Sequence, residues 1–78
     1  MPQNDLKTKI YNYSIEKIEE LIAKGQVKSW NDLAVRAGVH RNVHERLTRQ
    51  KNISMHSFIN IVEATGINWE EFFKDFKK

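Results

Sequence analysis

At 78 residues the chain is long enough for one small core and too short for a ligand-sensing domain beside it, so a single domain over residues 1–78 is expected, with its core at about 15–76. No apolar run approaches bilayer length and no charged-then-apolar leader opens the chain, which predicts a soluble cytoplasmic protein with no membrane association. There is no cysteine, hence no disulfide framework or thiolate metal site, and the formal charge is a modest +3. In chain order, Asn4 or Asp5 can cap a first helix carrying Leu6, Ile10, Ile15, Ile18, Leu21 and Ile22, which Gly25 stops. Its apolar spacing slips at Asn12-Tyr13-Ser14, which predicts either a short separate helix followed by a longer one or a bend.

Residues 29–47, SWNDLAVRAGVHRNVHERL, predict two short helices joined by a tight turn. The Ser29 hydroxyl can accept a free backbone N–H at the start of the first, and Leu33, Ala34 and Ala37 form one apolar stripe along it. Gly38 can take the left-handed conformation that ends a helix without a Cβ penalty. Small Ala34 leaves room for a second helix to cross closely, with Val39 and Leu47 closing the core. Ser54 caps a fourth helix with Met55, Phe58, Ile59 and Val62 on one face, ended by Gly66. Asn68 opens a fifth, where Glu71 is spaced to bond back to the cap and Glu70 and Glu71 suit the positive helix N-terminus. Strand alternation is absent throughout, so an all-α fold of five helices is expected.

Charge follows the same division. Residues 24–51 hold Lys24, Lys28, Arg36, Arg41, Arg46, Arg49 and Lys51 against Asp32 and Glu45, seven cations to two carboxylates and a balance of +5. The flanking segments 1–23 and 52–78 each balance at −1, with three cations to four carboxylates. A basic patch of this kind is the electrostatic footprint for a polyanion, the alternative being a solvated basic face. His40 and His44, four apart, would share a helix face, but two imidazoles need further ligands, His56 lies on another helix and no cysteine is present, so no metal site is expected. Nor is there a Ser/His/Asp set, nucleophile elbow or phosphate loop, so neither enzymatic activity nor a cofactor is expected. Trp69, Phe72, Phe73 and Phe76 recur at i, i+3, i+4 and i+7, a broad stripe that either caps the core between the first and fourth helices or forms a dimer or partner interface.

The ordered set LAVRAGV at 33–39, RL at 46–47 and SMHSFINIVEATGINWEEFF at 54–73 resembles the lambda-repressor-like helix-turn-helix regulators of bacteria and phages, the Cro/repressor or XRE type, over roughly residues 15–73. The resemblance implies a five-helix domain that binds double-stranded DNA with its third helix in the major groove, as a small phage or mobile-element repressor working as a homodimer. By position it implies base-edge contacts for Arg41, Asn42 and Arg46, with Val43 and Glu45 beside them. It implies phosphate contacts for Ser29, Trp30, His40, Arg49, Lys51 and Asn52. Arg46 could instead pair with Asp32 or Glu45. The chain departs from the family at Trp30, where a Gln is usual, and at His44, where an apolar residue is usual. The Glu-Arg-Gly exit of the third helix reads Thr48-Arg49-Gln50, which shifts the expected left-handed stop to Asn52. These departures motivate an alternative, a protein-binding module on the same fold, such as an antirepressor or antitoxin-like partner of another regulator.

Overall fold

The computed structural model describes residues 5–76, and over them the chain forms five helices joined by turns, with no strand among the described residues. They are α1 (Asp5–Ala23), α2 (Trp30–Ala37), α3 (Val43–Thr48), α4 (Met55–Ala64) and α5 (Trp69–Phe73). Asn4, one of the two candidate first caps, lies outside the described residues. α1 is a single continuous helix through Asn12-Tyr13-Ser14, neither split nor interrupted. Its buried stripe is Tyr11, Ser14, Ile18 and Leu21 at i, i+3, i+7 and i+10. A serine and a phenol stand in that register, and Ile10 and Ile15 flank it only half-buried, which is why the spacing looks broken in sequence.

Three helices begin on side-chain caps. Ser29 Oγ accepts from Asp32 N–H at 3.0 Å, Ser54 Oγ from Ser57 N–H at 3.0 Å, and Asn68 Oδ1 from Glu71 N–H at 2.8 Å. The expected return bond from Glu71 is replaced by an ion pair, its carboxylate lying 3.1 Å from Lys74 Nζ. At the end of α2, Gly38 has φ +72° and Val39 N–H reaches back to the Ala34 carbonyl at 3.1 Å. At the end of α3 the left-handed residue is Gln50, φ +61°, and not Asn52. Lys51 N–H donates to the Arg46 carbonyl at 2.8 Å and Gln50 N–H to the Leu47 carbonyl at 3.1 Å, the paired closure that requires positive φ two residues past Thr48.

The core joins Ile18 and Leu21 of α1, Leu33, Ala34 and Ala37 of α2, Val43 and Leu47 of α3, Ile61 and Val62 of α4 and Phe72 of α5, and it reaches back to Tyr11. Each such aliphatic or aromatic side chain contributes roughly 1.5–3 kcal/mol by leaving water. α2 packs on α4, α3 on α1, and α5 on α4. The inner face of α4 is rotated from the one expected: Met55 is 71% exposed, while Ile61, Val62 and the following Thr65 are buried. Among the described residues no helix is long and apolar enough to cross a membrane.

The terminal aromatics divide between two environments. Phe72 is fully buried in the core, so it is unavailable to any interface. Phe73 stacks on Tyr13 at 5.5 Å and Phe76 meets the same ring edge-on at 5.4 Å, while the Tyr13 hydroxyl donates to the Phe72 carbonyl. Trp69 stacks on Phe73 at 5.3 Å and keeps 37% exposure. The α5 region is therefore clamped to α1 by the part of α1 that precedes Ile15.

Candidate nucleic-acid interface

α2, the Gly38 turn and α3 bring the basic segment to one side of the domain. α3 is six residues, about 9 Å long, and its inner edge is Val43 and Leu47, an i, i+4 apolar pair that packs on α1. Val43 is 3% exposed, so it cannot touch a base edge, a correction to the set implied by family position. The i, i+4 relation to Leu47 already carries that signal in the sequence. The outer edge holds Glu45, Arg46 and the following Arg49, all exposed. Arg41 and Asn42 lie in the turn before α3 and are not its first outward residues. Arg41 is exposed without an ion pair among the described residues; Asn42 is half-buried, its side-chain oxygen shielded and unpartnered. Asn42 N–H donates to Nδ1 of exposed His40 at 3.2 Å. Because α3 starts at Val43, His40 and His44 do not share a helix face.

The cations separate into paired and unpaired groups. Lys24 lies 2.9 Å from Glu20, Arg36 2.9 Å from Asp32 and Arg49 3.3 Å from Glu45. The hydrogen bond from Lys24 holds the Glu20 carboxyl below its ordinary range, with the Lys24 and Lys17 charges acting in the same direction. With Asp32 and Glu45 occupied, Arg46 turns instead to the Asn52 carbonyl at 3.3 Å, and Asn52 Oδ1 accepts from Lys7 Nζ at 3.0 Å. Lys28, Arg41, Arg46 and Lys51 are left exposed without a carboxylate partner among the described residues. Lys28 is the member that motif position does not single out; it precedes the Ser29 cap of α2.

A hollow of about 280 Å³ opens beside this edge, lined among others by His40, Asn42, Arg46, Asn52, Ser54 and Ser57. The sequence marks Ser54 only as a cap; the structure places it and Ser57 beside Arg46 at the N-terminus of α4. Donors from a guanidinium, hydroxyls and a helix start on one rim suit an anionic oxygen.

Trp30 and His44, two of the departures from the family pattern, meet each other. Their rings are parallel at 4.2 Å between centroids, and His44 Nε2 lies 3.7 Å from Glu19 Oε2 of α1. The indole N–H of Trp30 is shielded and has no partner, so this side chain cannot donate to a phosphate as the family position implies. What this position offers an anion is the backbone N–H of the first helical turn, which has no intrahelical acceptor. Ser29, through its cap, is likewise fixed at that turn. No family model, curated protein or solved structure matches the chain.

Proposed function

We propose that the protein binds double-stranded DNA as a small transcriptional regulator with a lambda-repressor-like arrangement, α3 and the turn before it entering the major groove. One observation carries the reading: the stretch from Lys24 to Lys51, which contains α2, the turn and α3, holds seven cations to two carboxylates, and four of them, Lys28, Arg41, Arg46 and Lys51, are exposed without a carboxylate partner among the described residues. In this reading Arg41 and Arg46 meet base edges with Glu45 beside them, since Arg pairs bidentately with guanine, whereas Asn42, its side-chain oxygen shielded, is not placed for the bidentate adenine contact that family position implies. Lys28, Ser29, His40, Arg49, Lys51 and Asn52 track the phosphates and hold register. Repression in a phage or mobile element, in the cytoplasm and as a homodimer, completes the proposal.

The protein-binding alternative rests on Trp30 and His44, and their mutual stack supplies an internal reason for both residues. The test is binding, by fluorescence anisotropy, to the chain's own upstream region and to a scrambled duplex. Arg41→Ala is expected to weaken specific binding by about 1–3 kcal/mol and to leave the scrambled duplex nearly unaffected. Equal losses on both duplexes would remove the base-reading role. Unchanged binding in a folded variant, or no DNA binding by the wild type, would turn the reading to a protein partner.

A further inference from the structure

Four large hydrophobic side chains are exposed among the described residues: Leu6 at 49%, Val35 at 70%, Met55 at 71% and Trp69 at 37%. Three of them line one groove of about 510 Å³, walled by α1 on one side and by α4 and α5 on the other. Phe58 and Phe73 complete an aromatic wall with Trp69, whose ring lies 5.9 Å from the first and 5.3 Å from the second. Such a concentration of apolar surface on one patch marks an interaction site, whereas Val35, standing alone, does not. Within this lining a single side chain is charged, and it is Lys7 of α1.

We propose that the groove binds a small amphipathic carboxylate, with its apolar body against the aromatic wall and its carboxyl group at Lys7. The sign of the ligand follows from how Lys7 is placed. It is half-buried, with Nζ 5.6 Å from the centre of the Tyr11 ring and 3.0 Å from Asn52 Oδ1, and it has no carboxylate partner among the described residues. Of its three donors one is used on Asn52, a neutral acceptor, so the ammonium charge stands uncompensated beside apolar surface. There an anion gains more than it would at an open surface, because the local dielectric is lower. A second donor lies on the same wall: the Tyr11 hydroxyl accepts from Ile53 N–H at 3.2 Å, which leaves its own proton to give. Beyond these two groups the lining offers no polar side chain. An extended peptide is therefore disfavoured, since its backbone groups would enter unpaired, whereas one carboxylate on a hydrocarbon body brings a single polar end. The volume agrees, because small-molecule sites span about 300–1,000 Å³. This inference goes beyond the DNA-binding reading and does not rest on it.

The experiment is a titration of the full chain with octanoate, below its micelle concentration, at constant ionic strength and without DNA, followed by proton–nitrogen correlation NMR. Octanol, the same chain without the charge, is the paired probe, and circular dichroism melts verify folding. Octanoate is expected to shift the Trp69 indole N–H and the Ile53 and Asn52 amides, saturating with a Kd of about 1–10 mM as befits so small a ligand. Lys7→Ala should weaken octanoate roughly fivefold and leave octanol unaffected, and Lys7→Arg should retain both. Met55→Glu sets a carboxylate on the rim at a side chain exposed in the fold, so it too should weaken octanoate with an unchanged melt. Octanoate shifts that miss the groove, octanol binding as tightly as octanoate to wild type, or undiminished octanoate binding by both Lys7→Ala and Met55→Glu would overturn the proposal. So would groove resonances that move with protein concentration and ignore octanoate, the result for a groove covered by a second copy. Because no DNA enters the titration, its failure leaves the proposed function standing, and failure of the duplex assays leaves this site standing.

Discussion

Salt dependence follows from how the basic segment is paired. Of its seven cations, Lys24, Arg36 and Arg49 sit within 3.3 Å of a carboxylate and the other four do not. A paired cation that meets a phosphate first gives up its carboxylate, so it releases fewer counterions; an unpaired one contributes fully. Four full contacts give a slope of log K against log salt of about −3.6 per subunit, at about 0.9 per phosphate neutralised. Between about 50 and 200 mM salt that slope is a loss of roughly 150-fold per subunit. Lys51→Ala and Lys28→Ala should each flatten it by about 0.9, and Arg36→Ala by distinctly less. Anisotropy titrations on a scrambled duplex across a potassium chloride series measure all of these. A nearly flat wild-type slope, or an Arg36→Ala effect equal to that of Lys51→Ala, would refute the division into paired and unpaired charges.

Three further outcomes are expected of the fold. Gln50→Gly should raise stability by about 1 kcal/mol, because a left-handed conformation costs an L-residue roughly 1–2 kcal/mol and glycine much less; a lowered melting temperature would contradict the positive φ. Phe72→Ala should cost about 3–5 kcal/mol in urea unfolding, the loss for a core ring, and a small change would return this side chain to the surface. Burial raises the Tyr13 phenol above its ordinary 10.0, aided by the carboxylates of Asp75 and Glu20 and opposed by a backbone hydrogen bond at Asp75. A group whose folded value is raised contributes stability that is complete below the unfolded value, near pH 10, and is lost as pH climbs through the folded one. Stability should therefore fall above pH 10, and Tyr13→Phe should lessen that fall while costing about 1 kcal/mol at neutral pH through the lost bond to the Phe72 carbonyl. Thermal melts across the alkaline range decide it, and identical pH profiles for the two proteins would exclude the tyrosine.

The helix starts and the Gly38 turn were legible in the sequence because their chemistry is local: a hydroxyl or amide cap acts three residues away, and a glycine acts on its own φ. The phase of α3 was harder to read. The helix starts only at Val43, so Arg41 and Asn42, which family position implies as its first outward residues, fall in the turn before it, while Val43 and Leu47 turn inward as an i, i+4 pair. Ser14 misled for the opposite reason, being a polar residue at a position chosen by long-range packing. The cation pairing was legible from spacing, since Lys24–Glu20, Arg36–Asp32 and Arg49–Glu45 are all i, i+4 pairs, whereas the reach of Lys7 to Asn52 across 45 residues was not.

A helix as short as α3 is marginal by itself, so whatever it presents outward is oriented by what holds it inward. Val43 and Leu47 fix its height on α1, but two aliphatic side chains on one edge still allow it to roll. The Trp30–His44 stack removes that freedom from α2, and Glu19 faces the same imidazole from α1. In the proposed DNA-binding reading the pair acts on binding through orientation, without touching DNA. A double-mutant cycle with Trp30→Ala and His44→Ala should return a coupling of about 0.5–1.5 kcal/mol in stability, the range for offset or stacked aromatic pairs. Each single variant should also weaken specific DNA binding and leave the salt slope unchanged, because no phosphate contact is lost. Zero coupling would dismiss the stack, and a slope reduced by about one in His44→Ala would place the imidazole on the phosphate backbone instead.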